Sequence, residues 1–586
     1  MNKDENEIEQ EIMEILKSLE NIHYPGNLHT KKSKMQAEIS LKHNELEGIY
    51  YLVESHSPNL RFTAIHQFEK SLQSLETTLP INKSYIDFTC TTTSLTERIH
   101  SMLSEIEEMP KEWTIIQLTS SFNAKENIDT TCENYHTDGV HVTVFNCGSK
   151  EDPFTVTVYP PRDKISGEII EIKQEMFSII KDNLQSLQNF QSFLGKTFKS
   201  SAEKLVYSEV RFFLNNRLEK LVKEIQEKWL REWSCMLIGK FLNDEVEDII
   251  QAKVNAFNLT TKNKNILKCL IKGSGFLSLT DIKNGLLHIF PEECEKSLRI
   301  SLGKDIQQMC NTYKFAKQLR HPVLLIVDEK LDIFPWEALE VLENHPASRM
   351  PSLHFTYALF KEYESTIVKG NVTNISSKNG TYLINPGLDL KNMENRLKNF
   401  VNYWMPDWNG MVGITPSEED FKNLLNNGDI FIYSGHGNGT QFFASEKIQK
   451  MKIKKVILLF GCSSATLTML GPQVEMFGSY QMYLVACSPC VVGTLWAVTD
   501  IDTDLVTTEF LSQWIPSDSS THWSLIDKKK WETGGNFAAN STRKSLNETD
   551  KHEPELLRAL CRAKKVAKQF LMRAAYVARG LPVKIN

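Results

Sequence analysis

Three segments decide the fold: Asp429-Ile-Phe-Ile-Tyr-Ser-Gly-His-Gly-Asn-Gly439, Lys454-Lys-Val-Ile-Leu-Leu-Phe-Gly-Cys-Ser-Ser464 and Val491-Val-Gly-Thr-Leu-Trp-Ala-Val-Thr-Asp-Ile-Asp-Thr-Asp504. Each begins with a short apolar run and ends in small or polar residues. Such runs read as buried strands. Residues near Ala444 to Met451 have helical character and supply the crossover that parallel neighbours need. Strand, loop, helix, strand is the grammar of a parallel sheet, so the expectation is an α/β fold with a mostly parallel sheet flanked by helices. His436 follows the first run and Cys462 the second. If those strands are neighbours, both side chains emerge at the carboxyl edge, where open α/β sheets place their sites.

The chemistry of this pair is that of a thiol beside a base. A nearby imidazole can lower the thiol pKa or take its proton, leaving a thiolate nucleophile. Gly435 and Gly437 flank His436, and Gly461 precedes Cys462. Small residues let a substrate backbone approach. The backbone amides of Gly437 and Cys462 are the candidate oxyanion hole. A single cysteine after a strand also reads as a small buried hydrophobe, and a histidine in a Gly-rich turn as structural. It is their joint placement that favours a catalytic pair. Ser463 and Ser464 are rival nucleophiles, but no G-x-S-x-G elbow surrounds them. Cys487 and Cys490 have metal-ligand spacing without a second pair, so neither a metal nor another cofactor is expected. Asp500, Asp502 and Asp504 precede a helical run through Trp514. They read as helix caps, or as an anionic pocket selecting a cationic residue such as Arg, and the two roles are compatible.

Outward from this core, 586 residues suggest more than one domain. A net charge of -6 gives no basic field for nucleic acid. There is no signal-peptide core and no apolar run of membrane-spanning length. The 11 cysteines are scattered, which suits a reducing compartment. A soluble, cytoplasmic chain is expected. Residues 1–110 read as a helical region, its first helix carrying Ile8, Ile12, Ile15, Leu16 and Leu19 on one face. Alternating strands follow at Trp113, Val140 and Phe154. Residues 166–241 read as a charged helical insertion within a unit spanning 111–350. A further unit spans 351–586. Inside it, residues 516–553 are rich in Ser, Asp, Lys, Asn and Gly and read as a flexible insertion. A basic helix is expected from Pro554 to Phe570.

Seven segments stand in order along the chain: Phe334-Pro-Trp-Glu, Ser348-Arg-Met-Pro-Ser, Asn385-Pro-Gly-Leu-Asp-Leu, Tyr433-Ser-Gly-His-Gly-Asn-Gly, Phe460-Gly-Cys-Ser-Ser, Leu495-Trp-Ala-Val-Thr-Asp and Gly580-Leu-Pro-Val. In these, and in their order, the chain resembles the separase family of caspase-like cysteine endopeptidases. The resemblance implies His436 and Cys462 as the catalytic pair, with the 111–350 unit supporting substrate. It implies cleavage after Arg in the kleisin subunit of cohesin at anaphase, with Asp500 to Asp504 binding that Arg. It implies a securin-type pseudosubstrate inhibitor, and access to the nucleus, chromosomes and spindle in mitosis. The family has Asp where this chain has Ala497, and Pro where it has Tyr576. Separases commonly carry a long helical-repeat region before the protease. Here about a hundred residues precede Trp113, so the chain reads either as a short form with a separate helical subunit docking on residues 1–110, which Met1 and the acidic first helix favour, or as a piece of a longer protein. The family prefers an acidic residue three positions before the Arg. Glu555-Leu-Leu-Arg558 has that spacing, but as part of an apparent helix it is not expected to be cut. Two other readings are another caspase-like peptidase coupled to helical-repeat partners, and a non-catalytic scaffold with a peptidase fold.

Overall fold

The computed structural model describes residues 2–18, 26–74, 79–87, 93–123, 136–163, 165–194, 201–471, 474–536, 545–547 and 550–586. Its centre is one 11-stranded sheet. The strands in chain order are β1 (Thr114–Ser120), β2 (Val140–Asn146), β3 (Phe154–Val158), β4 (Val323–Val327), β5 (Ala347–Met350), β8 (Gly380–Ile384), β9 (Asn409–Val412), β10 (Ile430–Ser434), β11 (Val456–Phe460), β12 (Cys490–Thr494) and β13 (Tyr576–Gly580). The two-residue strands β6 (Ile367–Val368) and β7 (Asn371–Val372) form a separate ribbon.

The spatial order is β3-β2-β1-β4-β5-β13-β12-β11-β10-β8-β9. The hydrophobic pattern accounts for the interior of this order. β4 reads VLLIV, β10 IFIYS and β11 VILLF, and every residue of all three is buried. Continuous apolar strands of this kind belong in a parallel sheet covered on both faces. β8, β10, β11 and β12 run parallel. β1, β4 and β5 also run parallel, while β2 and β3 extend that half as an antiparallel edge. Strands of residues 111–350 thus occupy one side of the sheet, and strands of residues 351–586 the other.

The closing strand β13 joins the two sides. It pairs antiparallel with β12 and meets β5 through Arg579 opposite Arg349. Side chains reinforce this seam. Arg579 donates to both Asp332 oxygens at 2.9 and 2.6 Å, and Arg349 donates to both Glu337 oxygens at 2.8 and 2.7 Å. Ser348 Oγ donates to the Gly580 carbonyl at 2.8 Å. Burial alone would raise the Asp332 carboxyl, but Arg579 and Arg349 hold it below its usual range. Both guanidiniums are buried, so their fork geometry matters more here than it would in water.

Two segments differ from the sequence expectation. Residues 516–553 include the helix Lys528–Gly534 and a 3-10 turn at Trp523–Leu525. Trp523 and Trp531 are fully buried, and Trp531 Nε1 donates to the Arg396 carbonyl at 3.0 Å. Two large aromatic side chains outweigh the polar composition around them. Residues 537–544 and 548–549 of that segment lie outside the described residues. The basic helix expected from Pro554 to Phe570 is confined to Leu556–Ala563, with a 3-10 turn and the short helix Phe570–Arg573 after it. Arg558 is buried there, bonded to Glu555 and to the Arg320 carbonyl.

The charged insertion is a helical hairpin, Ile172–Leu194 and Ser201–Glu224. Arg217 links its two arms, donating to Glu175 at 2.8 and 2.9 Å and to Asp182 at 2.7 Å.

Candidate active site

β10 and β11 are parallel neighbours with Ser434 opposite Phe460. The loops after them therefore leave the sheet at one level, and the two candidate residues stand on adjacent loops. The loops touch backbone to backbone. A Cβ placed on Gly461 would lie 1.9 Å from the Gly437 carbonyl oxygen and 2.6 Å from that of Gly435. No side chain fits there, which is a physical reason for glycine before Cys462. Gly437 and Gly439 have φ of +65° and +85°, the left-handed region that glycine enters at little cost. The His436 carbonyl is tied down from below. Tyr433 Oη donates to it at 2.6 Å and Gln441 Nε2 at 3.1 Å. Burial pushes the Tyr433 phenol up to about 12, so it remains a donor.

Cys462 is half-buried. Its thiol donates to the Val498 carbonyl at 3.4 Å, and the Val498 N–H lies 3.4 Å from the sulfur. The neighbouring turn is fixed by the strand-end segment after β12: Ser463, at φ +54°, donates its N–H to the Trp496 carbonyl at 3.2 Å. Burial raises the Cys462 thiol above its ordinary value, the Val498 N–H opposes this, and Asp500 adds to it. The resting thiol is therefore protonated at neutral pH and needs a base to become a nucleophile.

The imidazole of His436 is exposed. Its Nε2 lies 2.9 Å from Asp389 Oδ2, a partner the sequence reading quoted within Asn385-Pro-Gly-Leu-Asp-Leu but gave no role. That loop follows β8, the strand beside β10. Asn385, at φ +49°, shapes it by accepting the Leu390 N–H at 3.1 Å and donating to Glu394 at 2.6 Å. Asp389 lies in a segment that carries the family resemblance, but its pairing with His436 depends on β8 lying beside β10, which is a tertiary fact.

The three aspartates after β12 have three different environments. Asp502 accepts from Thr499 Oγ1 at 2.7 Å in the first turn of the helix Asp500–Trp514. Asp504 is fully buried and takes Arg396 at 2.6 Å from both Nε and Nη2. Burial pushes the Asp504 carboxyl up to about 8, with the Arg396 pair acting the other way. Asp500 is partly exposed. Burial raises its carboxyl, Arg396 and His436 pull it down, and Asp389 raises it. Asp500 is thus the member of the cluster that shares a field with His436 and Asp389. Among the described residues, no group of three or more His, Cys, Asp or Glu side chains has the geometry to hold a metal ion.

A mostly parallel α/β sheet of caspase-like type, with a histidine and a cysteine on adjacent strand-end loops, defines the class. The chain belongs to the separin protease-domain family, whose model ("Separin, protease domain") matches residues 140–503. It is 25% identical to the separin of Schizosaccharomyces pombe over 439 residues, 70% of this chain and 23% of that protein. It is 31% identical to the separin of Saccharomyces cerevisiae over 388 residues, 60% of this chain and 23% of that protein. The chain therefore spans about a quarter of the length of these two relatives. A crystal structure of the Saccharomyces cerevisiae separase–securin complex matches the fold with a TM-score of 0.69 and 18% identity, covering 99% of this chain and 38% of that one.

Proposed function

We propose that the chain is a cysteine endopeptidase of separase type that cleaves after Arg in the kleisin subunit of cohesin, releasing sister chromatids at anaphase. The observation that carries this reading is Gly461 seated on the Gly435–Gly437 backbone, which sets the His436 and Cys462 loops side by side at the carboxyl edge of adjacent strands. Membership of the separin protease-domain family supports the choice of peptidase class.

In this reading His436 takes the Cys462 proton as the sulfur attacks the scissile carbonyl carbon. The oxyanion forms against the backbone amides of Gly437 and Cys462. Collapse breaks the C–N bond, and the imidazolium returns its proton to the leaving amine. Water, deprotonated by His436, then attacks the thioester and frees the thiol. Asp389 holds the ring from its outer side and stabilises the imidazolium. In the resting structure the thiol bonds the Val498 carbonyl and the imidazole bonds Asp389. Engagement of the pair is completed when substrate displaces the thiol from Val498, since catalytic hydrogen bonds often tighten only in the complex. Asp500 faces the guanidinium of the substrate Arg, while Asp502 and Asp504 build the helix start behind it.

Residues 111–350 serve as the substrate-supporting unit and residues 351–586 as the catalytic unit. A securin-type chain occupies the cleft as a pseudosubstrate inhibitor, a proposal supported by the likeness to a separase solved with securin. A helical companion subunit docks on residues 1–110. The protein works in the cytoplasm with access to mitotic chromosomes and spindle. No described helix is long and apolar enough to cross a membrane. The test is cleavage of a kleisin peptide against unrelated Arg peptides, by the parent chain and by Cys462→Ser. Turnover of the kleisin peptide that Cys462→Ser abolishes supports the reading. Equal cleavage of all Arg peptides contradicts the kleisin assignment, and a fully active Cys462→Ser contradicts the mechanism.

A further inference from the structure

The helical hairpin reaches the segment that holds the thiol. Asn183, on its first arm, is fully buried and donates Nδ2 to the Ala497 carbonyl at 2.9 Å. The next residue is Val498, whose N–H and carbonyl both contact Cys462 Sγ. Arg211, on the second arm, is also buried. Its Nη1 donates to Asn183 Oδ1 at 2.6 Å, which fixes which way the Asn183 amide faces. Its Nε donates to Gln569 Oε1 at 3.0 Å. Its Nη2 lies 3.9 Å from Met572 Sδ, and the same sulfur accepts the Thr499 N–H at 3.4 Å. The guanidinium thus grips residues 497–499 from two sides, through Asn183 to Ala497 and through Met572 to Thr499. A third link runs from Asn215, whose Oδ1 accepts the Leu571 N–H at 2.9 Å, to Trp496, whose Nε1 donates to the Leu571 carbonyl at 2.9 Å.

We infer that Asn183 and Arg211 are positioning residues for the Cys462 thiol, acting through the Ala497–Thr499 backbone. A planar, five-donor side chain is suited to the task because it can hold several acceptors at fixed angles at once. Burial opposes the Arg211 charge and Asp502 supports it, while the groups it bonds are neutral. The links from those groups run to Ala497 and Thr499, on either side of Val498. The inference rests on the proposed role of Cys462 but is testable apart from it.

The experiment measures two quantities on the full-length chain. The first is the rate of iodoacetamide alkylation at Cys462, read by mass spectrometry against the exposed Cys294 as internal reference. The second is kcat and KM on an Arg peptide. Asn183→Ala is expected to slow Cys462 alkylation severalfold, because the thiolate loses a well-placed N–H donor. It is expected to lower kcat by about tenfold with KM nearly unchanged, the mark of a misplaced reacting group. Arg211→Lys keeps the charge but loses the fork and is expected to move in the same direction. It carries the test if Asn183→Ala does not fold. Arg217→Ala, which breaks the link between the hairpin arms without touching residues 497–499, is expected to match the parent in both measurements. Parent-like alkylation in Asn183→Ala or Arg211→Lys, or an equal loss in Arg217→Ala, overturns the inference. Peptide turnover that survives Cys462→Ser overturns the peptidase reading alone, because the alkylation comparison needs no substrate.

Discussion

At the residue scale, like side chains occupy unequal environments. Cys462→Ser and His436→Ala should each cost several orders of magnitude in kcat/KM, and the double variant little more, because the pair acts as a unit. Steady-state kinetics on one Arg peptide checks this. Asp389→Asn should cost less, about tenfold, since the pair is solvent-screened at 46% and 60% side-chain exposure. The aspartates after β12 should separate by assay. Asp500→Asn should lose preference for Arg substrates and raise the melting temperature slightly at neutral pH, because burial disfavours its charge. Asp504→Ala should lower stability by about 3 kcal/mol, because it leaves the buried Arg396 without the oxygen it bonds. A substrate panel and a melting curve for each variant read the two effects apart. Sequence spacing named all three aspartates and could not rank them. Exposure and the reach of Arg396, which comes from a different helix, give the three different environments.

At the element scale, what the sequence made legible was local, and what it concealed was pairing. The apolar runs of β10 and β11, with His436 and Cys462 just past their ends, followed from composition and period alone. β13 did not. Tyr576-Val-Ala-Arg-Gly is short, interrupted by a charge, and becomes a central strand because Arg579 finds Asp332 beneath it. The segment 516–553 misled for the converse reason. Its polar residues dominate the composition, while Trp523 and Trp531 dominate the energetics. Asp389 was hidden because β8 meets β10 only in space. One element-scale prediction follows from the contact of the two site loops. Gly461→Ala places a Cβ 1.9 Å from the Gly437 carbonyl, so the loops must part. The sheet below should survive, with unchanged far-ultraviolet circular dichroism, while kcat/KM falls by about a hundredfold or more. A variant that keeps parent activity would mean the two loops need not touch.

At the scale of the whole molecule, two acids tie the three parts of the chain together: buried Glu475 accepts the N–H of Asn59, on an amino-terminal helix, at 2.7 Å, and half-buried Glu329, in residues 111–350, accepts that of Met476 at 2.7 Å. Burial, with Glu329 adding to it, pushes the Glu475 carboxyl up to about 8, while the Asn59 N–H and Arg61 oppose. The folded chain therefore binds a proton that the unfolded chain has released between the ordinary carboxyl range and about pH 8. The associated stability is fully present below pH ~4.5 and is lost as pH rises through about 8. Glu475→Gln should flatten that part of the profile, so its melting temperature gains on the parent as pH rises from 5 to 8. Parallel melting curves across this range would place the proton elsewhere. His436 and Cys462 stand at the edge of this sheet, and a covalent probe reads their reactivity without turnover. The chain is treated with an Arg-containing peptidyl acyloxymethyl ketone and the adduct is mapped by mass spectrometry. A single adduct on Cys462 is expected, absent in His436→Ala and reduced in Asp500→Asn. An unlabelled Cys462, or labelling that is indifferent to His436, would contradict a His436–Cys462 catalytic pair.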